Sequence, residues 1–412
     1  MRIVVAHPLQ QHSYRLATAL KRKGILYKYI TPVYNKKFSW TKLLVFFLPA
    51  KHKAAAAARV CESLDDSDVL LYCELEGLLR LFSQNVKAFR KYHEWIKYHL
   101  SDRFANKVAK YVIKNKIDVV ICYDDCSSKL FTILKEKAPH VKCILDVSAA
   151  NRFFMREIYN RDIDLAPRFS KRLKTEVARV WNEELMERFK MEIDLADFFL
   201  VPSEFVARSL KYSGITSSKM LICPYGVDID MFKQKHDYKS ELPLKFIYVG
   251  GIKELKGIYY LLEAFKKIPR EFAELIIVGN YDDNEDVKPY LEYVTFTGKV
   301  LHSEIPRLLK DSDIFVMPSL GEGLSLSCLE AAACGLPLMV SENSGINSYI
   351  QEYKEGIVFP IQSVQKIIDS VMWFVENKEK IEDMGNEARR LAELFSWEKY
   401  YEVAYNAISS IS

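Results

Sequence analysis

The sequence predicts an α/β protein made of two doubly wound domains, each a parallel sheet packed between helices. Three observations carry this. The chain has 412 residues, more than one hydrophobic core usually serves. Short apolar runs alternate with amphipathic helical stretches along its length. Several of these runs end in a glycine turn that opens onto a helix, the strand–turn–helix order of a parallel sheet. With 49% hydrophobic and 13% aromatic residues, the composition is that of a globular chain, not a disordered one.

The first domain begins with a strand over 2–6, followed by a helix over 13–23 that Gly24 stops. Apolar runs at 119–122, 143–145 and 198–201 read as further parallel strands. Residues 221–228 form a strand and turn leading out of this domain. In the second domain a strand at 246–249 runs into Gly250 and Gly251. Lys256 and Gly257 then precede an amphipathic helix over 258–268. A strand and glycine recur at 275–279 and again at 294–298. The run 314–317, bounded by Asp313 and Pro318, is a buried strand, and residues 397–411 form a closing helix. The expected domains are 1–225, completed by 396–412, and 226–395. There is no internal repeat, and the run Ala54 to Ala58 is simply good helix former.

The most informative stretch is Pro318-Ser-Leu-Gly-Glu-Gly-Leu-Ser-Leu-Ser-Cys-Leu-Glu-Ala-Ala-Ala-Cys-Gly-Leu-Pro337. A polar turn leaves the strand's carboxyl end and opens onto a helix that Gly335 and Pro337 terminate. Ligands of open α/β sheets bind at such ends, and free N–H groups with the helix dipole favour a phosphate there. Glu322 lies in the turn and Glu330 about two helical turns later. Both face one ligand, and carboxylates suit sugar hydroxyls, which donate hydrogen bonds. Two glutamates at this spacing arise by chance; the frame of strand, Pro-Ser, Gly-Glu-Gly, helix and Gly-Leu-Pro makes them specific.

This frame resembles the E-x7-E motif of the retaining GT-B glycosyltransferases of group 1, or family 4. The resemblance covers the C-terminal half well and the N-terminal half in outline. It implies the GT-B fold: two Rossmann-like domains, a donor cleft between them, and a C-terminal helix that crosses back to the N-terminal domain. It further implies that Lys256, after the Gly250–Gly251 turn, meets the donor diphosphate; as a bare residue, Lys256 reads equally as an exposed helix-start lysine. The backbone at Gly298 to Val300 would meet the nucleobase, Glu330 the ribose, and Glu322 the donor sugar. The backbone of Gly323, Leu324, Ser325, Leu326 and Ser327 would approach the diphosphate or sugar. Glu322 and Lys256 are the catalytic candidates. One departure is that many relatives carry Arg where this chain has Gly251, which leaves Lys253 as a substitute cation.

The N-terminal domain, the acceptor side by resemblance, is less legible. After its first strand comes His7-Pro-Leu-Gln-Gln-His-Ser13, where His7, Gln11 and His12 suit a polar ligand. Ser13 reads equally as a helix cap. Asp124 and Asp146 follow two later strands and serve either as acceptor contacts or as caps. The histidine that many relatives place after one of these strands is missing. Glu192 and Ser203 fit a recurring family pattern, with a structural or acceptor-facing role.

Charge is uneven. Residues 1–200 carry 36 Lys and Arg against 23 Asp and Glu, a balance of +13, so the chain's totals of 59 and 54 leave −8 for residues 201–412. No acid precedes Glu62, while twelve basic residues do. Within that stretch, segment 36–53 has basic flanks, Trp40, and an apolar centre at 43–48 too short to span a bilayer. It suits an anionic membrane surface, or else is a core-facing helix with solvated lysines. No nucleic-acid motif accompanies the charge. The amino end reads as a domain strand with no signal peptide. The eight cysteines form no Cys-x-x-Cys pair and read as reduced thiols. A cytoplasmic location follows, peripheral at the inner face of the membrane if the basic segment docks.

The function expected is a retaining glycosyltransferase of hexosyltransferase type. It would move a sugar from a nucleotide-sugar donor to a glycan or lipid-linked saccharide, in surface polysaccharide synthesis. No cofactor is expected. With no Asp-x-Asp signature at a donor site, no metal is expected either. Two other readings stay open: a non-catalytic GT-B partner subunit, and a nucleotide-sugar epimerase.

Overall fold

Apolar runs with no polar face must be covered on both sides, so they become inner strands of parallel sheets. The computed structural model describes residues 1–8, 12–47, 59–166, 182–238, 241–280 and 285–411, with positions 169, 173, 174, 177 and 178. It contains two such sheets, all of whose pairings are parallel. The first has seven strands in the order β3-β2-β1-β4-β5-β6-β7. These are β1 (Ile3–Ala6), β2 (Leu26–Thr31), β3 (Val69–Leu71), β4 (Val119–Tyr123), β5 (Lys142–Asp146), β6 (Phe198–Val201) and β7 (Met220–Ile222). The second has six strands in the order β10-β9-β8-β11-β12-β13. They are β8 (Leu244–Val249), β9 (Ala273–Val278), β10 (Thr295–Gly298), β11 (Ile314–Met317), β12 (Leu338–Ser341) and β13 (Gly356–Phe359). β1, β4, β11 and β12 are buried at every position, as covered strands must be.

Each sheet reverses its winding once, between β1 and β4 and between β8 and β11. A doubly wound sheet binds ligands at the carboxyl ends beside such a reversal, where the flanking loops part. The loops after β1 and β4 carry His7, His12 and Asp124. Those after β8 and β11 carry Gly250, Gly251, Lys256 and Glu322. Topology alone therefore gathers these candidates at the two switch points.

The closing helix, Trp397–Ser409, returns to the first domain. Ser396 caps it by accepting the Lys399 N–H, and a bridge pairs Val227 with Ser396. The helix packs on Ser13–Arg22. There Arg15 lies 4.3 Å over the Trp397 ring and donates to the Tyr401 hydroxyl at 3.0 Å. Two chain crossings, near 227 and at 396, thus tie the domains together.

Of the basic segment 36–53, residues 36–47 are described, and Trp40–Phe47 is a helix. Lys36 is not a free surface charge, because its ammonium donates to the Val69 carbonyl at 2.7 Å. Lys37, Trp40, Lys42 and Leu43 are exposed, so this helix does not turn Trp40 or Leu43 to the core. Among the described residues no helix is long and apolar enough to cross a membrane.

Candidate active site

The second domain's switch point is built by pressing two loops together. Gly257 has φ +64°, and a Cβ on it would lie 1.9 Å from the Pro318 carbonyl oxygen, so only glycine lets the loop after β8 meet the loop after β11. Leu320 N–H and the Ser319 hydroxyl both donate to the Leu255 carbonyl, at 3.0 and 3.1 Å. This seam places the Lys256 ammonium against the Glu322 carboxylate as an ion pair. The Ser319 hydroxyl also donates to Glu322 at 2.9 Å. Asn343 braces the turn: its carbonyl accepts the Glu322 N–H at 2.9 Å, and its amide donates to the Leu320 carbonyl at 2.9 Å.

Beyond the turn, Ser325 precedes the helix Leu326–Ala333 without capping it, and its hydroxyl lies 3.0 Å from that of Ser327. The first N–H groups of the helix are thus left for an anion. Leu324 is buried, while Leu326 is exposed. Glu330 is largely buried and meets His302 Nε2 at 2.9 Å. Burial pushes the Glu330 carboxyl above its ordinary value, and the His302 hydrogen bond partly offsets that. His302 itself stands 63% exposed, at the open edge of this subsite. The Gly298 carbonyl accepts the Gly279 N–H at 3.1 Å, which ties this loop to the turn after β9. Gly251 is exposed and its carbonyl accepts from the buried Tyr248 hydroxyl at 2.9 Å.

On the opposite domain, His12 Nε2 lies 3.1 and 3.2 Å from the two oxygens of Asp146, and 3.4 Å from the Tyr225 hydroxyl. Burial acts to lower the His12 pKa, but the charge and hydrogen bond of Asp146, with Asp124 behind, outweigh it, and the value is raised. Asp124 is pushed up to about 7 by burial and by the Asp125 and Asp146 carboxylates, against the pull of Arg152. The Ser148 hydroxyl donates to Asp124 at 3.1 Å. The Tyr123 hydroxyl is buried with no hydrogen-bond partner, and its ring touches both His7 and His12.

His7 has no exposed surface and its ring packs on Tyr123 at 4.3 Å, whereas His12 is only partly buried. Gln11 lies outside the described residues. Glu192 is structural: buried, it accepts the N–H groups of Asp125, Ser127 and Ser128 at 3.0, 2.7 and 3.2 Å. That loop follows β4, so Glu192 holds Asp124 in place.

The two sides meet at Gly323. A Cβ there would lie 1.9 Å from the Ser148 carbonyl oxygen and 3.4 Å from Pro202. Ser203 caps the helix Glu204–Lys211 and also donates to the Gly323 carbonyl. Arg208 reaches Asn343 at 3.1 Å. Further out, Tyr260 and Gln362 both donate to Asp162, at 2.6 and 3.0 Å. The Glu322 turn is therefore in backbone contact with the loop that carries Ser148 and, through it, Asp124. Sequence reasoning missed His302, Tyr225 and Asn343. Only Asn343 had a local signal, a polar Glu-Asn-Ser-Gly turn directly after a strand.

Residues 230–391 match the family model of glycosyl transferases group 1. The matched region includes Lys256, Glu322 and Glu330. The chain is 29% identical to the sulfoquinovosyl transferase SQD2 of Arabidopsis thaliana over 218 residues, which are 49% of this chain and 42% of that protein. It is 31% identical to an Escherichia coli UDP-Gal:alpha-D-GlcNAc-diphosphoundecaprenol alpha-1,3-galactosyltransferase over 178 residues, 39% of this chain and 46% of that one. The chain thus spans about half the length of the curated relatives it matches. Among solved structures, sucrose-phosphate synthase from Thermosynechococcus elongatus superposes with a TM-score of 0.69 at 16% identity, covering 100% of both chains. The fold is GT-B, with both domains and the crossing helix in place.

Proposed function

We propose that the protein is a retaining glycosyltransferase that moves a sugar from a nucleotide-sugar donor to a glycan or lipid-linked saccharide, in surface polysaccharide synthesis. The observation that carries this reading is the Lys256–Glu322 pair at the β8/β11 switch point, with Glu330 on the helix Leu326–Ala333 that follows the same turn. A cation, a run of helix N–H groups and two carboxylates match, in order, a diphosphate, its helix-bound oxygens, and the hydroxyls of a sugar and a ribose.

In this reading the donor's sugar–phosphate bond stretches towards an oxocarbenium-like state while charge grows on the leaving diphosphate. Lys256 and the amino end of Leu326–Ala333 stabilise that charge. Contact between Gly323 and Ser148 keeps water from the reacting carbon, so that the acceptor hydroxyl attacks instead. The leaving phosphate takes the acceptor's proton. Glu322 orients the donor sugar and is not a covalent nucleophile. His12, with Asp146 behind it, binds the acceptor. Transfer needs no divalent metal and survives chelation by EDTA.

One observation favours a second reading. His12, Asp146 and Asp124 put titratable groups across the cleft from the donor turn, which a nucleotide-sugar epimerase also requires. A screen of nucleotide sugars by thermal shift identifies the donor, since a bound ligand stabilises the native state by mass action. The preferred donor is then incubated with and without saccharide acceptors, and products are read by NMR. A new glycoside with the donor's anomeric configuration supports the proposal. An inverted glycoside refutes retention, and an epimerised nucleotide sugar formed without acceptor favours the second reading.

A further inference from the structure

Residues 77–93 contain no acidic residue and carry Arg80, Lys87, Arg90 and Lys91. The helix Glu74–Asn85 places Leu75, Leu79 and Phe82 at i, i+4 and i+7, which is one face. That face points outward: the three side chains are 57%, 47% and 49% exposed. Gly77, on the opposite face, is buried and pressed against Pro32 and Val33. The helix is amphipathic with its apolar stripe turned to solvent.

Neighbours extend the stripe on both sides. Helix Trp40–Phe47 packs beside it, joined where the Thr41 N–H and hydroxyl donate to Glu74, each at 2.7 Å. Trp40 and Leu43 are 54% and 51% exposed, and Phe38 projects fully from a left-handed turn. At the other end the Phe89 ring lies 5.2 Å from that of Phe82, and Tyr92 and Trp95 follow, exposed. Monomeric surfaces rarely leave so continuous an apolar ridge uncovered.

Charge decides what covers it. Lys37, Lys42, Arg90 and Lys91 stand exposed along the ridge. Three nearby carboxylates are engaged within the protein, Glu74 by Thr41, Glu76 by Arg103 at 3.1 Å and Asp66 by the Lys37 N–H at 2.8 Å; Glu94 lies at the far end beside Trp95. A protein partner's interface is depleted in lysine, whereas tryptophan, tyrosine and phenylalanine between lysines suit a lipid headgroup layer. We infer that the surface formed by helices 40–47 and 74–85 and the turn 87–92 is a docking face for an anionic lipid bilayer. It lies on the first domain and stands independently of the proposed transfer reaction.

The test is flotation of the full chain with phosphatidylcholine vesicles, with and without phosphatidylglycerol, across a salt series. Binding should require phosphatidylglycerol and fall as salt rises. Lys42→Ser/Arg90→Ser/Lys91→Ser should weaken it about a hundredfold, at about fivefold per charge. Leu79→Ser/Phe82→Ser/Trp95→Ser should weaken it at least tenfold through lost apolar insertion. These side chains are exposed, so unchanged melting and nucleoside diphosphate binding should show the fold intact. Wild-type protein that stays with the buffer, or binds neutral and anionic vesicles alike, overturns the proposal. So do triple variants that float like wild type. A wild-type dimer that the apolar variant turns into a monomer, with vesicle binding unchanged, would assign the ridge to a second copy of the chain instead.

Discussion

Gly323→Ala separates donor binding from the docking of the two domains. A Cβ at this position would sit 1.9 Å from the Ser148 carbonyl oxygen and 3.0 Å from its carbonyl carbon. Real Cβ contacts essentially never fall below 3.0 Å, so a gap of more than about 1 Å must open. The turn cannot easily retreat. Glu322 N–H is bonded to Asn343, and Gly345 backs onto the Gly323 carbonyl closely enough that its own Cβ would lie 2.4 Å away. Strain is therefore relieved at the domain contact, moving Ser148 and Asp124 away from the donor turn. A misplacement of about 1 Å in a reacting assembly costs on the order of a hundredfold in rate. The donor residues Lys256 and Glu330 lie in the second domain alone. The expectation is a kcat lower by about a hundredfold, with nucleoside diphosphate affinity unchanged within about twofold. Steady-state transfer with the preferred donor, beside calorimetry with the nucleoside diphosphate, measures both. Wild-type kcat in this variant would show that contact between Gly323 and Ser148 has no part in transfer.

Glu330→Ala should weaken nucleoside diphosphate binding by about ten- to a hundredfold, the value of hydrogen bonds to a charged group, while the fold persists; equal affinity in calorimetry would remove Glu330 from the ribose. Lys256→Ala should weaken donor binding and also lower kcat by about a hundredfold, because diphosphate charge increases in the transition state. Glu322→Gln should lower kcat more than it raises the donor KM, since it removes a negative charge beside a sugar becoming cationic; the reverse pattern would assign Glu322 to ground-state binding only. Glu192 gives a pH test. Burial, with the nearby Asp125 charge, raises its carboxyl from 4.5 to about 8, so the folded state holds a proton that the unfolded state has released. Stability should therefore fall as pH rises across that window, by up to several kcal/mol. Glu192→Gln should flatten this slope in urea titrations, and an unchanged slope would show that Glu192 does not hold that proton.

The sequence by itself determined the doubly wound α/β class and the order of the second-domain elements, while its resemblance to group 1 glycosyltransferases implied the GT-B arrangement and the return of the closing helix. Its signals there are local. A covered parallel strand must be wholly apolar, as Ile3–Ala6 and Ile314–Met317 are, and the glycine turn and helix stop lie within a few residues of the strand they serve. Weaker strands escaped the reading for the same reason. Leu26–Thr31 is half-exposed and carries Lys28, and Val69–Leu71 has three residues. Only the tertiary structure decided which side chains meet. His12 and Asp146 are 134 positions apart, and Gly323 touches Ser148 across the domains. His302 reaches Glu330 from a separate loop. No spacing rule encodes such pairs, because they join loops that only the folding of the sheets brings together. Exposure is likewise a property of packing. The stripe Leu75, Leu79, Phe82 has the periodicity of a core-facing helix, and its outward direction is set by Gly77 pressing on Pro32 and Val33.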